Sequence, residues 1–215
     1  MNRKERIQNF YRTKPSLSND SFSIKELEYL AVGWRTGDSA KETYKAAASY
    51  PFRVCSEIKS ILDVGSGLGG LLGFLRNSMG FEGRYLGIEI LEEFDSYAKN
   101  IYKEDTMASF VCEDFLSFCF EDNSYDWAFS LGSLSVHQEE QEYENMMTVR
   151  KMSALSNFGF SIFLNDADKC KNLKGHNIEN FVNMTHSIIP NFRDVKVDSF
   201  GEGVLPAKTM VHLLK

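Results

Sequence analysis

The sequence predicts an α/β fold: a doubly wound, mostly parallel seven-stranded sheet with an antiparallel C-terminal hairpin and an N-terminal helical cap. Three observations lead to this class. From residue 58 onward, short β-prone runs alternate with amphipathic segments of helical length, which is typical of a parallel sheet covered on both faces. The last two β-prone runs are separated only by residues 201–206, so we expect them to pair antiparallel. Residues 1–57 show a helical pattern without strand alternation.

The predicted elements follow this alternation along the chain. Strands are predicted over residues 58–64, 84–90, 108–113, 125–131, 157–165, 192–200 and 207–214, and helices over 69–79, 92–103, 138–152 and 177–188. In the N-terminal segment, residues 24–30 are amphipathic, and residues 38–58 are aromatic-rich and broken or kinked at Pro51. We predict that residues 1–57 form a cap over the binding site and belong to the same domain as residues 58–215.

Composition fits one globular domain. Of the 215 residues, 43% are hydrophobic and 25% are charged, which is enough to bury a sizeable core. No apolar run approaches the length of a membrane span, and the N-terminus lacks the apolar stretch of a secretory signal. The four cysteines show no C-x-x-C pairing, so we expect reduced thiols, no zinc site and a cytoplasmic location.

The charge balance argues against a nucleic-acid partner. The net charge is −6, whereas a protein that binds the phosphate backbone presents a basic face. The exception is a basic cluster near the N-terminus, which we interpret as the solvated face of a first helix or a frayed tail. This cluster comprises Arg3, Lys4, Arg6, Arg12 and Lys14.

The most specific motif is a strand, a glycine-rich turn and a helix between residues 60 and 75. The apolar strand contains Asp63, and glycines follow at every second position, Gly65, Gly67 and Gly69. Glycine allows positive φ and lets a ligand approach the backbone closely. The unpaired N–H groups of the next helix would face that ligand.

Two classes of ligand use such a turn. Gly65, Gly67 and Gly70 match the dinucleotide spacing G-x-G-x-x-G, and Asp63 with the alternate glycines matches the spacing for S-adenosyl-L-methionine (SAM). The glycines alone do not decide between them. The carboxylate of Asp63 favours SAM, because it would repel a diphosphate and attract the ammonium and sulfonium of SAM.

Acidic residues also end the next two predicted strands. Glu89 suits a ribose diol, in NAD as well as in SAM. Asp114 can accept from the exocyclic amine of adenine while Phe115 stacks on the ring. The alternatives are a solvent-facing strand end for Glu89, a helix N-cap for Asp114 and core packing for Phe115.

Taken in order, these segments resemble the class I, Rossmann-like SAM-dependent methyltransferases. The resemblance rests on residues 62–69, 86–89, 113–115 and 125–133 and covers residues 55–215. The whole chain more loosely resembles small bacterial and phage-type members with a Gly33-Trp34 segment before the core. The resemblance implies S-adenosyl-L-methionine as cofactor. The residues that it assigns to the cofactor are Asp63, Gly65, Ser66, Gly67, Glu89, Ile90, Asp114, Phe115 and Ser130.

The sequence restricts the class of methyl acceptor mainly by the motifs that it lacks. Amino-directed DNA methyltransferases carry an Asn/Asp-Pro-Pro-aromatic signature after the fourth strand, but residues 130–135 contain no proline. Metal-dependent catechol-type enzymes need a carboxylate at the end of that strand, where this chain has Leu131-Gly132, so we predict no metal. Asp166 could supply a carboxylate at the end of the fifth strand, but we interpret it as a strand-end or loop acid and not as an acceptor ligand. We predict a small-molecule acceptor, with another exposed acceptor as the alternative.

His137 is the candidate general base, because it follows the fourth strand and a neutral imidazole can take a proton from the acceptor. The alternative is a structural histidine at a loop or helix start, with catalysis by in-line positioning alone. Trp34, Tyr44 and Tyr50 are candidates for an aromatic wall around the acceptor, or else simply pack in the cap.

Two further hypotheses stand beside a methyltransferase acting on a small molecule. One is a binding or regulatory protein that keeps the SAM fold without methyl transfer. The other is a NAD-type oxidoreductase, which the glycine spacing alone also allows.

Overall fold

A seven-stranded sheet forms the centre of the protein in a computed structural model that describes residues 3–17, 23–120, 124–134, 142–166, 175–200 and 208–215. The strands are β1 (Ser60–Val64), β2 (Arg84–Glu89), β3 (Ala108–Cys112), β4 (Tyr125–Ser130), β5 (Ser156–Asn165), β6 (Asp194–Phe200) and β7 (Lys208–Leu214). Their order across the sheet is β3-β2-β1-β4-β5-β7-β6. This arrangement confirms the predicted fold class.

The helices of the described residues lie in the N-terminal segment and between the strands. They are α1 (Arg3–Tyr11), α2 (Ile24–Leu30), α3 (Gly37–Ser49), α4 (Pro51–Val54), α5 (Gly70–Met79), α6 (Glu92–Ile101), α7 (Glu142–Leu155) and α8 (Ile178–Ile188). Pro51 occupies the first turn of α4, which explains the break that the sequence predicts there. The predicted start of α7 at residue 138 and the connection at residues 201–206 lie outside the described residues.

The pairing pattern brings the carboxyl ends of three strands together. β1 runs parallel to both β2 and β4, and Asp63 lies opposite Gly87 on one side and Phe129 on the other. β7 pairs antiparallel with both β5 and β6, as the absence of a helix between the last two predicted strands indicates. In such sheets ligands bind outside the carboxyl ends of the strands, where the strand order reverses. Here that point lies between β1 and β4.

Both faces of the sheet are buried. Along β1, Ile61 packs with α5 on one face, and Leu62 and Val64 pack with α7 and α8 on the other. The alternation follows the two-residue period of a strand. Trp127 of β4 is fully buried on the α5 face. Within the described residues, no helix combines the length and apolar character needed to cross a bilayer.

A buried polar chain crosses three strands beneath the cap. The indole N–H of Trp127 donates to Ser161 Oγ at 2.8 Å, and that hydroxyl lies 2.7 Å from His212 Nδ1. Ser161 Oγ accepts from the indole, and its second hydrogen bond joins it to Nδ1 of His212, with the donor set by the tautomer of the imidazole. Nε2 is 3.9 Å from Asp198 Oδ2, and Tyr50 stacks on the ring at 4.8 Å. Burial lowers the pKa of His212 to about 4.

This histidine makes stability depend on pH. The unfolded chain binds a proton near pH 6.5, whereas the folded chain resists it until about pH 4, so stability is lost as the pH falls between those values. The shift corresponds to about 3 kcal/mol. We expect His212→Gln, whose amide oxygen can accept from Ser161, to lose correspondingly less stability on acidification, measured by urea unfolding at pH 7 and pH 4.5. The matched control is His186→Gln at an exposed position of α8. A wild-type pH dependence in His212→Gln would contradict this account.

Candidate active site

A cavity of about 320 Å³ lies at the carboxyl ends of β1, β2 and β4. Its floor comprises the glycine turn after β1, the end of β2 and the turn that follows β3. Its roof comprises α1 together with Glu28, Val32, Trp34 and Tyr44 from the following N-terminal segment. The N-terminal residues therefore cover the predicted ligand turn.

The glycine turn needs glycine for two physical reasons. Gly65, Gly67 and Gly69 have φ values of +76°, +55° and +77°, in the left-handed region that side chains rarely adopt. A Cβ on Gly67 would also lie 3.0 Å from Val32 Cγ1 in the roof, and one on Gly65 would lie 2.8 Å from Ser133 Cβ. The turn is therefore fixed by its neighbours on two sides.

The carboxylate of Glu89 holds this turn from below. Glu89 Oε2 accepts from the N–H of Gly67 at 2.9 Å, and Oε1 accepts from the N–H groups of Ile90 and Leu91 at 2.8 and 2.9 Å. Burial raises the pKa of Glu89, and the three backbone N–H groups act against that shift. Three of about four acceptor positions on the carboxylate are thus used within the protein. Both Glu89 and Ile90 line the cavity.

Asp63 is the second carboxylate of the cavity floor. It is almost fully buried and accepts from the Tyr85 hydroxyl at 2.5 Å. Burial raises its pKa to about 7, and the nearby Glu89 adds to the effect. Two desolvated acids side by side favour a cationic ligand and disfavour a diphosphate.

The serines of the site occupy different positions. Ser66 lines the cavity, and its buried hydroxyl has no hydrogen-bond partner among the described residues. Ser130, which the sequence assigns to the cofactor, lies fully buried behind the cavity wall. Its hydroxyl is 2.7 Å from that of Ser133, which lines the cavity with Leu131 and Gly132. Ser130 can therefore orient Ser133 from behind.

Asp114 and Phe115, in the turn after β3, also line the cavity. Phe115 is buried, with its residue surface 3% exposed. Asp114 Oδ1 accepts from the Leu116 N–H at 3.1 Å and pairs with Arg3 of α1. The carboxylate thus stabilises the turn and also faces the cavity, so the capping interpretation and the ligand interpretation are compatible.

The basic N-terminal cluster requires a correction. Arg3 and Arg6 were expected on a solvated or frayed segment, but they line the cavity with side chains only 18% and 24% exposed. Arg6 Nη2 lies 2.5 Å from Glu144 Oε1, and Arg3 lies between Asp114 and Glu144. The partners are more than 100 residues away in sequence, so no local pattern indicated them.

Of the other residues that the sequence singles out, some line the cavity and some lie elsewhere. Trp34 and Tyr44 line the cavity, whereas Tyr50 stacks on His212 in the core. Asp166 directly follows β5, forms an isolated bridge with His176 and is absent from the cavity lining given by the described residues. His137, the candidate base, lies outside the described residues and stays a prediction.

The comparisons with known proteins bear directly on this geometry. Residues 61–153 match a family model described as "Methyltransferase domain". This match runs from β1 to α7 and indicates a methyltransferase domain in that part of the chain. The matched segment includes the cavity floor. A comparison with curated protein sequences gives no match.

Solved structures of methyltransferases share the fold of this protein at low sequence identity. The methyltransferase domain of bacterial CtHen1-CN is 16% identical, with a TM-score of 0.63 over 81% of this chain and 98% of that one. A SAM-dependent methyltransferase from Aquifex aeolicus is 15% identical, with a TM-score of 0.56 over 100% and 99%. The N-methyltransferase NodS from Bradyrhizobium japonicum, in complex with S-adenosylhomocysteine, is 12% identical, with a TM-score of 0.65 over 96% of both chains.

The turn geometry predicts the effect of a side chain at Gly67. In Gly67→Val the branched side chain meets Val32 and the backbone is strained, so we expect SAM affinity to fall by more than about 100-fold. Gly80→Val is the matched control, because Gly80 also has positive φ (+65°) but has open space around it. Both variants should lose about 1–2 kcal/mol of stability from the backbone. Retained SAM binding by a folded Gly67→Val, measured by calorimetry, would contradict the assignment.

The raised pKa of Asp63 predicts pH-dependent cofactor binding. Below about pH 7 the free site binds a proton that must leave before the carboxylate can pair with the SAM ammonium. We expect the affinity for SAM to weaken by up to about tenfold per pH unit as the pH falls from 7 toward 5. Asp63→Asn should bind SAM weakly, and its affinity for SAM should not show this pH dependence.

Tyr85→Phe provides the control for that titration. It removes the hydrogen bond that favours the Asp63 carboxylate, so the affinity should begin to fall at a higher pH than in the wild type. Identical slopes in Asp63→Asn and the wild type would show that another group titrates.

Proposed function

We propose that this protein is a SAM-dependent methyltransferase and that it acts on a small-molecule acceptor, which it binds beneath its N-terminal helices. The observation that carries the proposal is the roof of the cavity: α1, Val32, Trp34 and Tyr44 cover the ligand turn. A folded macromolecule would have to displace this roof to reach the floor, whereas a small molecule can fit below it.

The residues of the floor fit SAM, which supplies an electrophilic methyl group on its sulfonium. Asp63 would face the ammonium group, and Glu89 would use its remaining acceptor position for the ribose. Asp114 and Phe115 would bind adenine. The buried Ser66 hydroxyl, unpaired among the described residues, is available to the ligand as well.

The acceptor would lie against an aromatic wall. The rings of Trp34 and Tyr44 are 6.1 Å apart and nearly perpendicular. Burial, together with the nearby Asp63, raises the pKa of Tyr44, so its hydroxyl keeps its proton and can donate a hydrogen bond. Gly132 on the opposite wall has free space where a Cβ would stand. Such a chamber can orient a small acceptor in line with the methyl group.

Structures of the same fold give precedents for bound organic acceptors. BpumL, described as a plantazolicin methyltransferase, has been solved with a desmethylPZN analogue and S-adenosylhomocysteine. It is 15% identical, with a TM-score of 0.59 over 81% of this chain and 84% of that one. The proposal extends this acceptor class to the present protein.

A size-fractionated extract tests the proposal. The protein is incubated with methyl-labelled SAM and either the fraction of a cell extract below about 1 kDa or the macromolecular fraction. We expect labelled product and S-adenosylhomocysteine only with the small-molecule fraction. Label in protein or nucleic acid would contradict the proposed acceptor class. Tight SAM binding without turnover in either fraction would favour the alternative of a binding or regulatory protein.

The aromatic wall predicts a separation of kinetic constants. We expect Trp34→Leu to raise KM for the active fraction by about tenfold or more, since it removes a large contact surface, while SAM affinity changes by less than about threefold. The matched control is Phe52→Leu, which removes a cap aromatic that packs on Phe81 away from the cavity. Equal effects of the two substitutions would show that Trp34 only stabilises the cap.

A further inference from the structure

We propose that Lys151 is a positioning residue for the adenine end of the site and that it sets the preference of the protein for adenine by fixing the turn at residues 114–118. The inference rests on the proposed placement of SAM. It concerns a side chain of α7 that no sequence motif singles out.

The ammonium group of Lys151 is fully engaged by one short segment. Nζ donates to the carbonyl oxygens of Phe115, Leu116 and Phe118 at 2.7, 3.0 and 2.8 Å. These contacts use all three of its N–H donors. The same nitrogen lies 5.1 Å from the ring centres of Phe115 and Phe120, which adds two cation–π contacts.

The geometry of the turn explains why its carbonyl groups need a cation. The main-chain oxygen of Asp114 accepts from the N–H groups of Ser117 and Phe118, at 3.0 and 2.9 Å, so the segment forms a single helical turn. The carbonyl groups at the far end of such a turn have no partner within it and form its negative end. Lys151 occupies that end.

The turn also carries the predicted adenine contacts. Asp114 and Phe115 line the cavity at its start, and Lys151 binds the carbonyl groups of the next residues. Without the ammonium group three main-chain oxygens would lose their donor in a half-buried setting, which favours rearrangement of the turn. The carboxylate of Asp114 and the ring of Phe115 would then leave the positions that suit the base.

Helix α7 also stabilises this turn through a second set of contacts, which begins at Glu144. Glu144 precedes Lys151 by seven residues, about two helical turns, so both side chains lie on one face of α7. Glu144 pairs with Arg3, and Arg3 pairs with Asp114. One helix thus supplies a cation to the carbonyl end of the turn and, through Arg3, orients its carboxylate.

The test compares two ligands whose bases differ at the 6-substituent and at the adjacent N1, which is an acceptor in adenine and a donor in hypoxanthine. S-adenosylhomocysteine carries the exocyclic amine that Asp114 would accept from, and S-inosylhomocysteine carries a carbonyl oxygen there, which the carboxylate would repel. Affinities are measured by calorimetry. We expect the wild type to prefer the adenine ligand. In Lys151→Met the affinity for S-adenosylhomocysteine should fall about 10- to 100-fold, while the affinity for S-inosylhomocysteine should change by less than about threefold. The preference for the adenine ligand would then be lost.

Lys215→Met is the matched control. Lys215 Nζ also donates to main-chain carbonyl oxygens, those of Ser153 and Ser156, both at 2.8 Å, but these do not line the cavity. This variant should keep the wild-type preference even if it loses stability. If Lys151→Met does not fold, Lys151→Arg is measured. Its planar guanidinium keeps the charge but cannot direct three N–H groups from one atom, so the preference should still narrow.

The outcomes separate the inference from its premise. A wild type that binds neither ligand would overturn the placement of SAM itself. A wild type that binds both ligands equally would overturn adenine selection by this turn. A selective wild type, with the preference unchanged in Lys151→Met or, if that variant is unfolded, in Lys151→Arg, would overturn the role of Lys151.

Discussion

The contact between the Glu89 carboxylate and the N–H of Gly67 is the constraint on which the site depends. It joins the end of β2 to the turn after β1, while Val32 lies over the same glycine from the roof. Tyr44 similarly lies where a Cβ on Gly70 would stand. The turn is therefore fixed from below by charge and from above by packing. The cofactor floor and the N-terminal roof consequently form one structural unit, and a change in either alters the other.

The cavity combines charged groups with aromatic surface. The chain is acidic overall, with a net charge of −6, yet Arg3, Arg6 and Lys151 gather around the turn that carries Asp114. Trp34 and Tyr44 contribute aromatic surface to the lining. Both properties suit the proposed cofactor, whose base needs directional hydrogen bonds and whose methyl group needs an oriented, largely apolar neighbour.

The fold and the floor of the site were predictable, because their signals are local. Period-two and helical patterns located the strands, and glycine spacing with Asp63 located the turn. The long-range contacts around the site were not predictable. Arg3 and Asp114 are 111 residues apart, and Lys151 reaches Phe115 across 36 residues. Pairs of this kind follow from tertiary packing and leave no periodic trace. Ser130 shows the same limit on a smaller scale. The strand pattern identified the end of β4, but it did not show which residue of the following turn would face the cavity.

We expect the floor with its two buried carboxylates, Asp63 and Glu89, to accept a cationic cofactor and to exclude a diphosphate. Calorimetric titration of the wild-type protein with SAM and, separately, with NADH tests this expectation most directly. Saturable binding of one SAM per chain and no measurable binding of NADH are expected, because the diphosphate would meet the two carboxylates instead of a cation. Binding of NADH in preference to SAM would contradict the account.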